Sequence, residues 1–332
     1  MSDLPAARTL ASRCRAPDVP LARGARVDHW TIVGTLGAGG MATVYEVRGD
    51  DGSRAAIKLA HAALLTAELT ADTFVREARI AAAVGHPGAI AILGSGTYAG
   101  RPYLVLELLG GTSLGARLDN GMPLPRPIAC ELLLELVDVL RASHAAGITH
   151  RDLKPDNIFM LAPGGGRRLK VLDWGVAHVA GEPDPFGSMI AGTLTYVAPE
   201  QIRGEALDPA ADIYSLGVLA FRLLCTRAPF AAASDLQLIK LHLHAPPPRA
   251  QSAWPNVPAV LDELLAAMLA KDPRQRPTLD DIERVLHAVL AELEPRRFAR
   301  GTEPHVQLRP PPRWPSLALR LARVAGVLAM LS

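Results

Sequence analysis

The pattern of apolar residues changes once along this chain, at Gly110-Gly111. Before this point, short apolar runs are separated by turn residues, which is typical of strands. After it, apolar residues recur at helical spacing over long stretches. A chain that separates its strands from its helices in this way favours an α+β fold, in which a small β-rich lobe precedes a larger, mainly helical lobe.

The same periodicities predict the individual elements. In the first part we expect strands at 30–33, 43–47, 55–59, 90–93 and 103–108, turns at Gly94, Gly96 and Gly100, and one helix over 66–84. In the second part we expect helices at 126–146, 210–225, 234–244, 258–270 and 278–293. Short connections join the first three strands, so we expect them to pair antiparallel.

The charge and the cysteines exclude several classes of protein. The 332 residues include 35 Lys and Arg against 33 Asp and Glu, a formal charge of +2. A dedicated nucleic-acid-binding protein needs clustered basic residues that neutralise phosphates, so we expect no nucleic-acid partner. Cys14, Cys130 and Cys225 form no CxxC pair and the N-terminus resembles no secretory signal, which together indicate a cytoplasmic protein.

The two ends of the chain differ from its centre. We predict a disordered tail over 1–27 and folding that begins near Trp30. Six prolines in 295–316 indicate an extended basic linker, and 317–332 form an apolar tail too short to span a bilayer. Seven Arg against one acid in 295–332 suit contact with the inner face of a membrane, and the tail could also dock onto a partner or onto the folded part of this chain. An unstructured end is an equal alternative.

A glycine cluster, Gly37-Ala38-Gly39-Gly40-Met41-Ala42-Thr43-Val44, lies between the first two predicted strands. Glycine lets a backbone approach a polyphosphate closely and offer its N–H groups. An ordinary hairpin turn has the same composition, and on this pattern alone the hairpin is the favoured interpretation.

Lys58 ends the third predicted strand and points to whatever the glycine cluster covers. It is one of only five lysines in the chain, and a compact ammonium suits a phosphate contact. A lysine drawn inward needs a carboxylate, because an unpaired buried charge is costly. Glu77, in the middle of the predicted helix, is our choice of partner, and Glu68 is the alternative.

The most specific motif is His150-Arg151-Asp152-Leu153-Lys154-Pro155-Asp156-Asn157, followed by Asp173-Trp174-Gly175. Asp152 can accept a proton from an attacking hydroxyl. Asn157 and Asp173 offer hard oxygen ligands for Mg²⁺. Lys154 can neutralise a phosphoryl group during its transfer.

In this order and with these gaps, the motifs resemble those of the protein kinase family. Gly39-Gly40-Met41 is similar to the bacterial branch of eukaryotic-like (Hanks-type) Ser/Thr kinases. The resemblance covers about 28–294 and implies a kinase N-lobe over 28–109 and a C-lobe over 110–294. It also implies ATP and Mg²⁺ as cofactors, with Mn²⁺ as an alternative metal, and protein substrates with Ser or Thr acceptors.

The resemblance implies a role for each matching residue. Lys58, paired with Glu77, would hold the α and β phosphates of ATP. Asp152 would be the catalytic base, and Asn157 and Asp173 would bind Mg²⁺. The positions implied to contact ATP are Gly37, Ala38, Gly39, Gly40, Val44, Ala56, Lys58, Glu107 and Leu109.

Further matches extend into the helical part. Lys154 is typical of Ser/Thr-directed kinases, and Thr193, near the end of the activation segment, would contact Asp152 and Lys154. Leu106 falls at the gatekeeper position before the hinge. The matches that imply structural roles are Asp212, which would brace the catalytic loop, and the pair Arg276 and Glu200.

Three positions depart from the family pattern. Ala42 stands where a third glycine is usual, and its small size preserves the space. Trp174 replaces the Phe of Asp-Phe-Gly, and Ala81, four residues after Glu77, is smaller than usual. We expect the large indole and the small methyl group to compensate in volume; the alternative is that Trp174 has no specific partner.

Arg151, beside the base, indicates control by phosphorylation of the activation segment. Between Gly175 and Gly192 the one hydroxyl residue is Ser188, which is therefore the predicted regulatory site. The alternative is that Arg151 has a structural role alone.

Several weaker features favour plain interpretations. His242 and His244 are expected at a solvated helix end and not in a metal site. His150 is expected to be a packed core histidine, and Cys225 a small buried apolar residue.

Two rival functions remain at this point. A pseudokinase, which binds nucleotide as a scaffold, is disfavoured because the base and both metal ligands are retained. A small-molecule phosphotransferase is disfavoured by Lys154 and by the expected peptide-docking segment 192–200.

Overall fold

The computed structural model describes residues 20–62, 71–164, 168–182, 194–206 and 208–293. A six-stranded antiparallel sheet in the order β1-β2-β3-β4-β6-β5 forms the first part, with helix α1 packed against β5 and β6. Its elements are β1 (Arg26–Val27), β2 (Trp30–Ala38), β3 (Ala42–Gly49), β4 (Arg54–Ala60), α1 (Ala71–Val84), β5 (Ile92–Tyr98) and β6 (Arg101–Leu106). The predicted start of α1 at residue 66 lies outside the described residues.

A mainly helical region follows, and the predicted α+β class, with a small β-rich lobe before a larger helical one, is confirmed. Its elements are β7 (Gly111–Ser113), α2 (Leu114–Asp119), α3 (Arg126–Ala145), β8 (Ile148–Thr149), β9 (Ile158–Leu161), β10 (Leu169–Val171), β11 (His178–Val179), α4 (Pro199–Arg203), α5 (Ala210–Cys225), α6 (Asp235–His244), α7 (Ala259–Met268) and α8 (Leu279–Leu293). Helix α5 is buried on nearly every side, which is how a helix with apolar residues all round must sit.

The described residues include 20–27, the last part of the segment predicted to be a disordered tail. Strand β1 pairs with β2, and Val27 is fully buried beneath the sheet. The backbone N–H of Leu21 donates to the hydroxyl of Tyr45 at 3.0 Å. Residues 26–27 therefore belong to the sheet, and Leu21 and Ala25 pack against its core, so this part of the segment predicted as a tail is folded.

The prediction for β5 is wrong in its boundaries. The strand does not end before Gly94 but runs through Gly94 and Gly96 to Tyr98, and the turn lies at Ala99-Gly100, where both φ angles are positive. Gly96 is needed inside the strand because the ring of Tyr103 lies where a Cβ would be. A glycine in a strand marked a close approach here and not a turn.

The prediction of a solvated histidine pair is wrong for His242. His244 is exposed, but His242 is fully buried and its Nδ1 is hydrogen-bonded to the hydroxyl of Tyr214 at 2.9 Å. Residues two apart on a helix point in very different directions, so only one of the two can face solvent. His150 and Cys225 are buried, as expected, and Cys130 is buried as well.

Among the described residues, no helix is long and apolar enough to cross a membrane.

Candidate active site

The glycine cluster forms the β2–β3 hairpin. Gly37 pairs with Val44 and Ala38 with Thr43, and the Gly39 N–H donates to the Ala42 carbonyl at 2.9 Å. A Cβ at Gly37 would meet no atom within 4 Å, so the glycine fills no packing requirement of the protein itself. The hairpin interpretation therefore describes the backbone, but it gives no reason for the exposed glycine.

Lys58 joins two carboxylates from different parts of the fold. It lies on β4, and its Nζ donates to Glu77 on α1 at 2.7 and 3.0 Å. The same Nζ donates to Oδ1 of Asp173 at 3.1 Å. Glu77 is buried and Lys58 nearly so, so this cluster brings the sheet, the helix and the Asp173 loop together.

The charges in this cluster stabilise one another. Burial alone would lower the pKa of Lys58, but Asp173 and Glu77 raise it well above its ordinary value. Burial would likewise raise the pKa of Asp173, but Lys58 and Lys154 lower it to about 2. At neutral pH the cluster therefore holds an ammonium group and an ionised Asp173.

Asp152 lies in a loop whose polar side chains converge on its carboxylate. Lys154 Nζ donates to Asp152 Oδ2 at 2.6 Å, and Asn157 Nδ2 donates to the same oxygen at 3.0 Å and to the Asp152 carbonyl at 2.8 Å. Burial raises the pKa of Asp152 above its ordinary value, although Lys154 opposes this. The carboxylate is thus oriented, partly desolvated and suited to accept a proton.

Asp212, at the start of α5, holds this loop in place. Its two oxygens accept the backbone N–H groups of His150 at 2.8 Å and Arg151 at 2.9 Å. His144 Nε2 lies 2.8 Å from Oδ2. Arg151 has a left-handed φ of 69°, a costly conformation for a residue with a side chain, and the two bonds to Asp212 offset that cost.

A second buried contact closes the region behind the loop. Arg276 forms an ion pair with Glu200 on α4 through its two terminal nitrogens, Nη1 and Nη2. Its Nη1 also donates to the Ala210 carbonyl at 2.7 Å. The carbonyl of Arg151 accepts a hydrogen bond from Gln201 Nε2 at 2.9 Å. Helix α4 is therefore attached both to the loop and to the start of α5.

The groups present suit Mg-ATP. Lys58 supplies a cation, and Asp173 and Asn157 supply hard oxygen ligands of the type that Mg²⁺ prefers. Both side-chain hydrogen bonds of Asn157 use its amide nitrogen Nδ2, so its side-chain oxygen Oδ1 has no partner among the described residues. The hinge carbonyl of Glu107 and the N–H of Leu109 likewise have no backbone partner in the described chain, whereas the Glu107 N–H donates to Ala91 at 3.0 Å.

Sequence reasoning missed two sets of contacts around this site. Lys170, on β10, forms an ion pair with the side chain of Glu107 at the hinge. On α1, Arg79 forms a two-point ion pair with Glu182 at 2.7 Å, and Arg76 donates to the Ala177 carbonyl at 2.8 Å. The scarcity of lysine in the chain was the one signal that pointed to Lys170.

The structure brings together most of the residues singled out by spacing. Lys58, Glu77 and Asp173 form one cluster and Asp152, Lys154 and Asn157 another, and Lys154 is close enough to Asp173 to help lower its pKa. Three predicted positions lie outside the described residues: Ser188, Thr193 and the alternative partner Glu68.

Trp174 is fully buried, and its ring centroid lies 4.7 Å from that of His150. Ala81 belongs to the same continuous hydrophobic core. The indole Nε1 of Trp174 has no hydrogen-bond partner among the described residues. The volume exchange between Trp174 and Ala81 stays a prediction.

Comparison with known sequences assigns the family. Residues 30–288, more than three quarters of the chain, match the family described as the protein kinase domain. The chain belongs to the protein kinase family. Within this family it is similar to serine/threonine-protein kinases of bacteria.

Three relatives illustrate this similarity. Serine/threonine-protein kinase Pkn1 of Myxococcus xanthus is 38% identical over 91% of this chain and 44% of its own length. PknJ of Mycobacterium tuberculosis is 37% identical over 78% of this chain and 44% of its own length. PknF of the same species is 34% identical over 94% of this chain and 67% of its own length. The chain thus spans less than half the length of two of these relatives.

Proposed function

We propose that this protein transfers the γ-phosphoryl group of Mg-ATP to Ser or Thr hydroxyls of proteins. One observation carries the proposal: Lys58, Glu77 and Asp173 form a connected ion cluster while Asp152, Lys154 and Asn157 form an oriented loop beside it. The similarity to bacterial serine/threonine-protein kinases supports the acceptor class.

Each group has a task in this reaction. The glycine hairpin covers the phosphates, and Lys58 holds the α and β phosphates while Glu77 holds Lys58. Asp173 and Asn157 would hold Mg²⁺, which would supply positive charge beside the phosphates. The side chains of Lys154 and Asn157 fix Asp152 Oδ2, so that the other carboxylate oxygen, Oδ1, accepts the proton of the attacking hydroxyl.

We propose further that the protein phosphorylates its own activation segment at Ser188 and that Arg151 binds the resulting phosphate. Phosphorylation adds about −1.5 to −2 units of charge, which an arginine can use to order a loop. Thr193 would contact Asp152 and Lys154 in the same state. The basic segment 295–332 is proposed to contact a membrane surface or a partner from the cytoplasmic side.

The test is phosphate incorporation from Mg-ATP by the purified full chain and by Asp152→Asn, with the phosphorylated residues mapped by mass spectrometry. We expect incorporation that includes Ser188 in the wild type and is lost in Asp152→Asn. A general protein substrate such as casein or myelin basic protein tests transfer to another chain. The alternative is a pseudokinase scaffold, and Mg-ATP binding without any transfer would support it and overturn our proposal.

Ser188→Ala separates the two parts of the proposal. Transfer to the general substrate that persists at the wild-type rate in Ser188→Ala would leave the kinase activity standing and overturn the regulatory role of Ser188. A large loss of transfer in Ser188→Ala would support that role, provided that prior phosphorylation with Mg-ATP raises the activity of the wild type and does not raise that of Ser188→Ala.

A further inference from the structure

Lys170 and Glu107 connect two distant parts of the candidate nucleotide site. Glu107 is the first residue of the hinge after β6, and Lys170 lies on β10, three residues before Asp173. The two side chains form an ion pair, with 14% of Lys170 and 27% of Glu107 exposed. An ion pair that is largely shielded from solvent is not weakened by screening as surface pairs are.

The pair also holds the segment that follows α1. Glu107 Oε1 accepts the backbone N–H of Ala91 at 2.7 Å, and Lys170 Nζ donates to the Ala89 carbonyl at 3.3 Å. Two backbone hydrogen bonds continue the connection: the Ile90 N–H donates to the Val171 carbonyl at 3.0 Å, and the Val171 N–H donates to Gly88 at 2.7 Å. One carboxylate and one ammonium therefore join the hinge, the segment 88–91 and the strand that leads to Asp173.

We propose that the Glu107 side chain and Lys170 are positioning residues that fix the separation between the hinge backbone and the Asp173 carboxylate. This inference rests on the proposed binding of Mg-ATP. Adenine would bind to the hinge backbone at one end of the site, and the metal and phosphates would bind near Asp173 and Lys58 at the other.

ATP has a limited length, so its two ends bind together only if the two parts of the site stand at the matching separation. A site held at that separation before binding gains the affinity of both ends without the cost of ordering. The Glu107–Lys170 pair supplies a non-covalent connection in addition to the chain itself. Neither side chain needs to touch the nucleotide for this role.

The experiment compares ATP with adenosine, a ligand that occupies the hinge end alone. The variants are Lys170→Met, Glu107→Gln and the double variant, each as the full chain. Calorimetry gives the affinity for Mg-ATP. Steady-state assays give KM and kcat, with adenosine as a competitive inhibitor. In Lys170→Met we expect the KM and dissociation constant for ATP to rise about tenfold, with the adenosine inhibition constant and kcat at saturating ATP changed by less than about threefold. The dissociation constant of the double variant for ATP should be no higher than that of the single variant with the lower affinity, because each substitution breaks the same ion pair.

Arg54→Met is the matched control. Arg54 on β4 forms a surface ion pair with Glu46 on β3 at 2.7 Å, so its loss removes an ion pair of the small sheet without releasing the hinge. We expect its KM for ATP to stay within about twofold of the wild type.

The outcomes separate the inference from the proposed function. Equal losses of adenosine and ATP affinity would show local damage to the hinge, and an unchanged ATP affinity in Lys170→Met would show that the pair is dispensable; either result overturns the inference. A wild type that binds ATP but transfers no phosphate would overturn the proposed kinase activity, and the comparison of ATP with adenosine affinity would still decide the inference.

Discussion

Arg276 and Glu200 form a two-point ion pair inside the helical region, with Nη1–Oε1 and Nη2–Oε2 separations of 2.5 and 2.8 Å. Their side chains are 1% and 2% exposed, and the guanidinium also lies 5.0 Å from the centre of the Tyr214 ring. Breaking such a pair leaves an uncompensated charge in a region from which water is excluded.

Glu200→Gln should therefore destabilise the protein strongly. We expect a loss of about 3–5 kcal/mol in the free energy of unfolding, measured by urea denaturation, because Arg276 would keep a buried charge without a carboxylate. Arg26→Met is the control, since Arg26 pairs with Asp50 at the surface and its loss should change stability by about 1 kcal/mol or less. A loss of the same size in both variants would contradict this explanation.

His242 predicts a pH dependence of stability. Burial, with a smaller effect from Lys271, lowers the pKa of His242 to about 3, whereas an unfolded histidine titrates near 6.5. Between these two values the unfolded state binds a proton that the folded state does not, so this histidine reduces stability as the pH falls below about 6.5.

His242→Gln removes this titration. Relative to the wild type, the variant should gain about 2 kcal/mol of stability when the pH is lowered from 7 to 5, at about 1.4 kcal/mol per pH unit below 6.5. Urea denaturation across this range gives the measurement, and exposed His244→Gln gives the control. Parallel pH profiles for wild type and His242→Gln would refute the prediction.

Trp174 and Ala81 test the proposed volume exchange. Trp174→Phe removes ring volume from a fully buried site, and we expect a loss of about 2 kcal/mol in stability and a several-fold drop in kcat/KM. Adding Ala81→Leu should recover more than half of both losses if the two side chains share one volume. A double variant no better than Trp174→Phe would show that the two sites are independent.

Glu77→Gln tests the placement of Lys58. The amide keeps a hydrogen-bond acceptor but loses the charge, so Lys58 is left with the carboxylate of Asp173, where a metal would otherwise bind. We expect kcat/KM for ATP to fall about 10- to 100-fold, with the far-ultraviolet circular dichroism unchanged. An activity within twofold of the wild type would mean that Glu77 does not position Lys58.

The residues that follow α5 and α4 both have a left-handed φ, and we expect opposite changes in the free energy of unfolding when they are substituted. Thr226 ends α5 with a left-handed φ of 60°, and Gly204 ends α4 with a φ of 66°. Thr226→Gly should raise the free energy of unfolding by about 1 kcal/mol, and Gly204→Ala should lower it by about the same amount, because only glycine adopts this φ without strain. Thermal and urea denaturation check both, and a change of the same sign in the two variants would contradict the argument.

The sequence predicted the fold class and the main helices because their patterns are local. Apolar residues at helical spacing marked α3 and α5 to within a residue or so, and the kinase motifs grouped Lys58 with Asp173 across 115 positions. The roles proposed for these residues remain predictions.

The errors have a common physical origin in contacts between different secondary-structure elements. Gly96 was expected in a turn, but the ring of Tyr103 on the neighbouring strand occupies the place of a Cβ there. His242 was expected in solvent, but it is hydrogen-bonded to Tyr214 on α5. The Glu107–Lys170 pair joins residues 63 positions apart, and neither one carries a local signal for the other. Such partners are chosen by the packing of the whole fold, which periodicity does not describe.

Asp212 has a consequence for how this molecule can be controlled. It joins the loop of Asp152, the proposed proton acceptor, to the deeply buried helix α5 and not to the small sheet. Lys58, by contrast, lies on strand β4 of the sheet, and Glu77 lies on helix α1. On the roles proposed above, a displacement of the sheet or of α1 would separate Lys58 and Glu77 from Asp173 and leave the hydrogen bonds of the Asp152 loop to α5 in place.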